Sequence, residues 1–196
     1  MPGSASNARN GKRRRKPAGE EMRRLIFLVS FLLAIIGADQ ITKVWVLNSI
    51  LPGQIIPVLG QFFQLRLAYN EGGAMGTVLG PGIFYLITSC IVLVVVLYLL
   101  YANRNKTIAA YALAAVAAGA IGNIIDRIRI GWVVDFLDFD FFDINILGYK
   151  LERWWTFNIA DSAITVGVII LLVYILFIPH PKESFESELI ESHRIS

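Results

Sequence analysis

Residues 87–100 read ITSCIVLVVVLYLL, a run without a single charged side chain. With its apolar neighbours the run covers 82–101, about the 20 residues a helix needs to cross the hydrocarbon core. Lipid offers no hydrogen-bond partners, so a lone spanning segment must bond its own backbone as a helix. Three more runs of this kind surround it: 25–47, interrupted by Asp39, Gln40 and Lys43; 107–125, containing AAYALAAVAAGAIGNII at 109–125; and 158–178. The composition agrees, with 56% hydrophobic and only 17% charged residues in a chain of 196, where a soluble domain carries about 25% charged. The sequence predicts an all-α membrane protein whose four-transmembrane-helix bundle occupies 25–178. The Ala and Gly of the third run would let helix backbones approach closely where lipid supplies no hydrophobic drive.

The flanks give the orientation. Residues 1–24 carry eight Lys or Arg against Glu20 and Glu21 and read as a disordered basic tail. Such a block could bind nucleic acid or anionic lipid. Beside a span the simpler reading is topology, with positive charge kept in the cytoplasm, and no nucleic-acid partner is expected. The first run starts far from Met1 and lacks a small-residue cleavage site, so it reads as a retained span. The basic loop 103–106 (NRNK) joins the N-terminus on the cytoplasmic side, and four spans return the tail 179–196 there. Connections 48–81 and 126–157 then lie on the outer face. In the first, FFQLRLAYN (62–70) alternates in a way that predicts a small extracytoplasmic β-hairpin or sheet element. The second, with DFDFFDINILGYKLERWW at 138–155, predicts an interfacial loop or helix with Trp154 and Trp155 at headgroup level. Cys90 is the only cysteine, so no intrachain disulfide forms. His180 and His193 both sit in the C-terminal tail, which leaves zinc without a ligand cluster.

A charge at the bilayer centre costs about 2.5–3.5 kcal/mol on insertion scales, so polar residues in spans usually face a bundle interior and serve a function. Here they are Asp39, Gln40 and Lys43; Asn70 and Glu71; Asn123, Asp126 and Arg127; Asp135; and Asn158 and Asp161. The topology brings all of them toward the outer leaflet. Structural readings stand beside this one. Asp39 and Lys43, four apart, can pair on one helix face. Asp126 and Arg127 can form an interfacial pair at a span end, and Asn70 can be a turn residue. Arg66, Glu152 and Arg153 read as solvated loop charges, and Asp138, Asp140 and Asp143 as surface charges. Asp135, in GWVVDF, and Asp161, inside a span, have no adjacent base. A serine mechanism needs a base beside its nucleophile; Ser162 has no evident partner, and a Ser/Lys dyad through Lys43 is a weak alternative. A metal would need several carboxylates in one shell. Two carboxylates that share one proton remain, the ionised one activating water and the protonated one polarising a carbonyl. Spacing alone does not bring Asp135 and Asp161 together.

The motifs DQITK (39–43), NEGGAMG (70–76), GAIGNIIDRIRIGWVVDF (119–136) and FNIADSAI (157–164) give this chain a resemblance to the bacterial lipoprotein signal peptidases, the signal peptidase II family. The resemblance extends over about 25–177. It implies an intramembrane aspartic endopeptidase of the bacterial cytoplasmic membrane. That enzyme removes signal peptides from diacylglyceryl-modified prolipoproteins just before the lipidated cysteine. The implied partners are lipid-modified prolipoproteins and membrane lipids, and no cofactor or metal is expected. By motif, Asp135 and Asp161 correspond to the catalytic pair. Asp39, Lys43, Asn70, Gly122, Asn123, Asp126, Arg127 and Asn158 correspond to positions that shape the site and hold substrate. The family's usual N-x-G-A-A-F stands here as Asn70-Glu71-Gly72-Gly73-Ala74-Met75, and the 136–157 loop is longer than in compact members. Two other readings of membrane acids stay open on the residues alone: a proton-coupled transporter and a non-catalytic scaffold.

Overall fold

The computed structural model describes residues 18–72, 80, 82–140, 144–146, 149–151 and 155–177. Its elements run α1 (Ala18–Ser49), β1 (Ile55–Leu59), β2 (Phe63–Asn70), α2 (Gly82–Asn103), α3 (Thr107–Ile130), β3 (Val133–Phe139), β4 (Ile144–Ile146), β5 (Tyr149–Leu151) and α4 (Ile159–Phe177). All four helices are long and apolar enough to cross a membrane. Residues 18–24, expected in a disordered tail, are instead the first turns of α1, where Glu20 and Glu21 lie at the favourable end of the helix dipole. The rest of that tail, and residues 178–196, lie outside the described residues. At its other end α3 runs five residues past the expected 125. Arg127 and Arg129 occupy its last turn, and Gly131 closes it in the left-handed region (φ 83°), its N–H on the Arg127 carbonyl.

Helix α3 is the axis of the bundle: 78% of its apolar window is buried, against 6–11% for the other three. Its small residues explain this. A Cβ added at Gly119 would collide with the Ala160 carbonyl, and one at Gly167 of α4 would come within 2.7 Å of the Ala112 carbonyl. The α3 and α4 backbones are therefore as close as glycine permits.

The 126–157 connection, expected to be a loop or helix, contains strands. VVDFLDF (133–139) is β-branched and aromatic, and it pairs antiparallel with β2, Ala68 opposite Asp135 and Asn70 opposite Val133. This completes a sheet of order β1-β2-β3, and β4 and β5 form a separate hairpin. Trp154 lies outside the described residues. Val134 and Phe136 pack against Val46 and Ile50 near the end of α1. That contact fixes the sheet to the bundle's end and brings β3 over the start of α4.

Candidate active site

The local sequence FNIAD builds the centre of the site. Asn158 precedes α4 and caps it: its Oδ1 accepts the Asp161 N–H at 2.9 Å, and Asp161 Oδ2 accepts the Asn158 N–H at 3.3 Å. This reciprocal capping box holds the Asp161 carboxylate in the first turn. Asp161 Oδ1 accepts from Asn123 Nδ2 at 2.7 Å. Asn158, fully buried, also donates through Nδ2 to Asp135 Oδ1 at 2.7 Å, with Asn123 Oδ1 and the Val134 carbonyl each at 3.2 Å. One residue thus bonds both carboxylates, Asp135 through its side chain and Asp161 through its backbone N–H. Asp135 Oδ2 accepts from Asn70 Nδ2 at 3.1 Å, while Asn70 Oδ1 accepts the Gly72 N–H at 3.0 Å. Asn70 is therefore both a turn residue and a partner of Asp135.

Behind these groups lies a buried ionic core. Lys43 Nζ is 2.9 Å from Asp39 Oδ2, 2.8 Å from Asp126 Oδ2 and 3.0 Å from Asn123 Oδ1, which occupies all three ammonium donors. Asp39 Oδ1 accepts the Ala160 N–H at 2.9 Å, and Asp126 Oδ2 accepts the Val134 N–H at 3.1 Å. These carboxylates join α1 to the first turn of α4 and α3 to β3. Gln40 Nε2 lies within 3.2 Å of Asp39, Asp126 and the Gly122 carbonyl. Gly122 is glycine for a spatial reason, since a Cβ there would meet Asp39 Oδ2 at 2.5 Å. No pairing of Lys43 with a serine exists among the described residues, and Ser162 Oγ donates to the Asn158 carbonyl.

Asp135 and Asp161 line one cavity of about 730 Å³. Its floor is α3 (Ala120, Asn123, Arg127), its walls are α2 (Tyr85, Thr88, Ser89, Val92) and α4 (Asp161, Ile164, Thr165, Val166), and Asn70, Asp135 and 155–157 close it on the side of the sheet. Val92 and Val166 are half exposed on the outside of the bundle, so the walls continue into the lipid-facing surface. Burial, and next the negative charge of Asp161, push the Asp135 carboxyl up to about 7. A group of this kind holds or releases a proton near neutral pH, as general acid–base chemistry requires.

Of the residues singled out by sequence, Asn70, Asn123, Arg127, Asp135 and Asp161 line the cavity, and Asp39, Lys43, Gly122, Asp126 and Asn158 stand behind it. Two expectations are corrected. Asp126 bonds to Lys43 and the Val134 N–H, and Arg127 reaches across to the Gly72 carbonyl at 3.2 Å, so they are not a pair with each other. Asp138 is buried, at 1% exposure, and meets Arg66, whose Nε is 3.3 Å from Asp138 Oδ2. Neither is a free surface charge. The α2 wall was missed. Tyr85, Thr88, Ser89 and Val92 fall at i, i+3, i+4 and i+7, a helical face that was visible in the sequence but carried no charge to mark it.

A model of the signal peptidase (SPase) II family matches residues 31–177. A lipoprotein signal peptidase of Desulforapulum autotrophicum is 39% identical, the match covering 79% of this chain and 94% of that one. The Clostridioides difficile lipoprotein signal peptidase is 32% identical over 76% of this chain and 94% of its own. A solved bacterial membrane enzyme structure, obtained by the in meso method at 2.3 Å resolution, superimposes with a TM-score of 0.69 at 30% identity, covering 81% of this chain and 92% of that one. Motifs, fold and relatives coincide over one stretch of chain, and the protein belongs to the signal peptidase II family.

Proposed function

We propose that this membrane peptidase works by an aspartic mechanism in which Asp135 and Asp161 share one proton. The observation that carries the reading is that both carboxylates line one cavity and both accept from Asn158, Asp135 from its side-chain Nδ2 and Asp161 from its backbone N–H. Buried carboxylates that feel one another's charge, as Asp135 feels Asp161, cannot both ionise readily, and the proton belongs to the pair. The ionised member takes a proton from water, whose oxygen attacks the scissile carbonyl carbon. The protonated member hydrogen-bonds the carbonyl oxygen and gives up its proton as the tetrahedral intermediate forms. Collapse returns the carbonyl, breaks the C–N bond and moves a proton to the leaving amine. Asn70, Asn123 and Asn158 hold the carboxylate oxygens in fixed directions, so little reorganisation accompanies the charge movement.

The substrate is a signal peptide joined to a diacylglyceryl-modified cysteine, cut just before that cysteine. Lipid-facing walls at Val92 and Val166 support lateral entry, with the acyl chains remaining in the bilayer. Both termini are cytoplasmic and the site faces outward, in keeping with the basic residues at Arg23, Arg24, Arg104 and Lys106. Purified protein should cleave a diacylglyceryl-modified precursor, and Asp135→Asn or Asp161→Asn should reduce the rate at least about a thousandfold, the scale of losing a principal catalytic group. Near-normal cleavage by either folded variant would remove the dyad.

A further inference from the structure

Arg66 lies outside the family motifs and is not among the residues that line the cavity. It lies on β2 with its side chain 41% exposed. Its guanidinium nevertheless joins three segments. Nε and Nη2 donate to Thr156 Oγ1 at 3.0 and 2.8 Å, and Nε is 3.3 Å from the buried carboxylate of Asp138 on β3. Thr156 lines the cavity, together with its neighbours Trp155 and Phe157. The backbone of Phe157 is already bound to β3, its carbonyl accepting from Phe136 and Leu137 and its N–H donating to Leu137. Its ring stacks on Phe139, which stacks on Phe63. Phe157 is thus held by the main chain and its ring. The side chain of Thr156, its neighbour in the cavity wall, is held by Arg66.

We infer that Arg66 is a positioning residue for substrate: clasped by Asp138, it fixes Thr156 and so sets the shape of the cavity's 155–157 wall. Asp138 orients the guanidinium, the paired N–H donors hold one hydroxyl, and the wall is presented to the bound chain in a single arrangement. The catalytic amide network does not run through these groups. Asn158 and the two acids are held from α3, β2 and the α4 cap. Loss of the clasp should therefore weaken substrate binding and leave the chemical step nearly intact, the pattern of a lost contact that serves ground and transition states alike. The inference rests on the peptidase reading of this cavity.

The test compares kcat and KM for a diacylglyceryl-modified precursor across full-length wild type, Arg66→Ala, Thr156→Val and Thr156→Ser in lipid nanodiscs. Arg66→Ala and Thr156→Val should each raise KM about five- to tenfold, the scale of one or two hydrogen bonds, with kcat changed less than about twofold. The double variant Arg66→Ala, Thr156→Val should be no worse than the worse single, because both remove the same contact. Thr156→Ser, which keeps the oxygen, should recover most of the affinity. An unchanged KM in folded Thr156→Val, or a fall in kcat at constant KM, overturns the inference. Binding of the same precursor to Asp135→Asn protein, with and without Thr156→Val, separates the two readings. Weaker binding on adding Thr156→Val supports the clasp even if Asp135→Asn still cleaves and the dyad fails; equal binding overturns the clasp even if the dyad stands.

Discussion

Replacing Lys43 by methionine would test whether the ionic core holds the site together. Methionine keeps the unbranched length and removes the ammonium. Lys43 is 1% exposed and is bonded to two carboxylates and an amide oxygen. Its loss leaves Asp39 and Asp126 buried without a cation, and removing one partner of a buried ion pair costs about 3–5 kcal/mol. For a chain of this size each kcal/mol moves the midpoint about 2–4 °C, so the expected fall is about 6–20 °C. Thermal unfolding in nanodiscs, read by tryptophan fluorescence, gives the number. The triple variant Asp39→Asn, Lys43→Met, Asp126→Asn removes both charges with the cation and should recover at least half of the loss. An amide oxygen at Asp39 can still accept the Ala160 N–H. A single variant that melts within about 2 °C of wild type, a change worth roughly 1 kcal/mol at this chain length, would refute the account. So would a triple variant no more stable than the single, since the loss would then be one of packing and not of charge.

Gly119→Ala places a methyl group against the Ala160 carbonyl and the Ile164 side chain, and overpacking of this kind should destabilise by about 1–3 kcal/mol. Gly37→Ala, where a Cβ meets nothing within 4 Å, should leave the melting midpoint unchanged or raise it. Titration gives a second test. The Asp135 carboxyl is raised to about 7, so the folded protein holds a proton that the unfolded chain releases near its ordinary 3.8. Its contribution to stability is present below that value and is lost as pH rises to about 7. Asp135→Asn should therefore gain stability relative to wild type between pH 4 and 7 and no further above it; a constant difference across that range would contradict the raised value. In wild type, kcat/KM should fall as pH rises through about 7, when the shared proton leaves. A profile flat to pH 9 would argue against the dyad.

The sequence displayed the spans because apolar length is a property of composition that no tertiary context overrides. It displayed Asp135 and Asp161 because an acid in an apolar run without a base at helical spacing demands an explanation. The partner choices were hidden. Asp126 and Arg127 are adjacent, yet side chains one residue apart on a helix point about 100° away from each other, so Asp126 turns to Lys43 and Arg127 to the Gly72 carbonyl. Arg66 and Asp138 are far apart in sequence and meet through the β2–β3 register, with Gln64 opposite Asp138. Strand β3 went unread because Val133–Phe139 follows closely on a helical span and its pairing partner lies more than sixty residues earlier. Its alternation is also weak, with Val133, Val134, Asp135 and Phe136 all buried.

The partners of the buried acids separate support from chemistry. Asp39 and Asp126 share the ammonium of Lys43, and Asp138 has the guanidinium of Arg66. Among the described residues, the Asp135 and Asp161 carboxylates bond to amide groups, those of Asn70, Asn123 and Asn158. An amide fixes direction without supplying charge, whereas a cation fixes the carboxylate as an anion. An acid meant to exchange protons near neutral pH therefore needs the first kind of partner. Burial and the Asp161 charge raise the Asp135 value; the Asn70 and Asn158 hydrogen bonds, and behind them the more distant Lys43, lower it without cancelling that rise. Placing a cation where the amide stands should convert one class of acid into the other. Asn70→Lys would put an ammonium beside Asp135 Oδ2 and hold that carboxylate ionised. The variant should lose cleavage at pH 7 and regain part of it on acidification. A variant that folds and cleaves with the wild-type pH profile would show that the identity of the partner does not govern the proton.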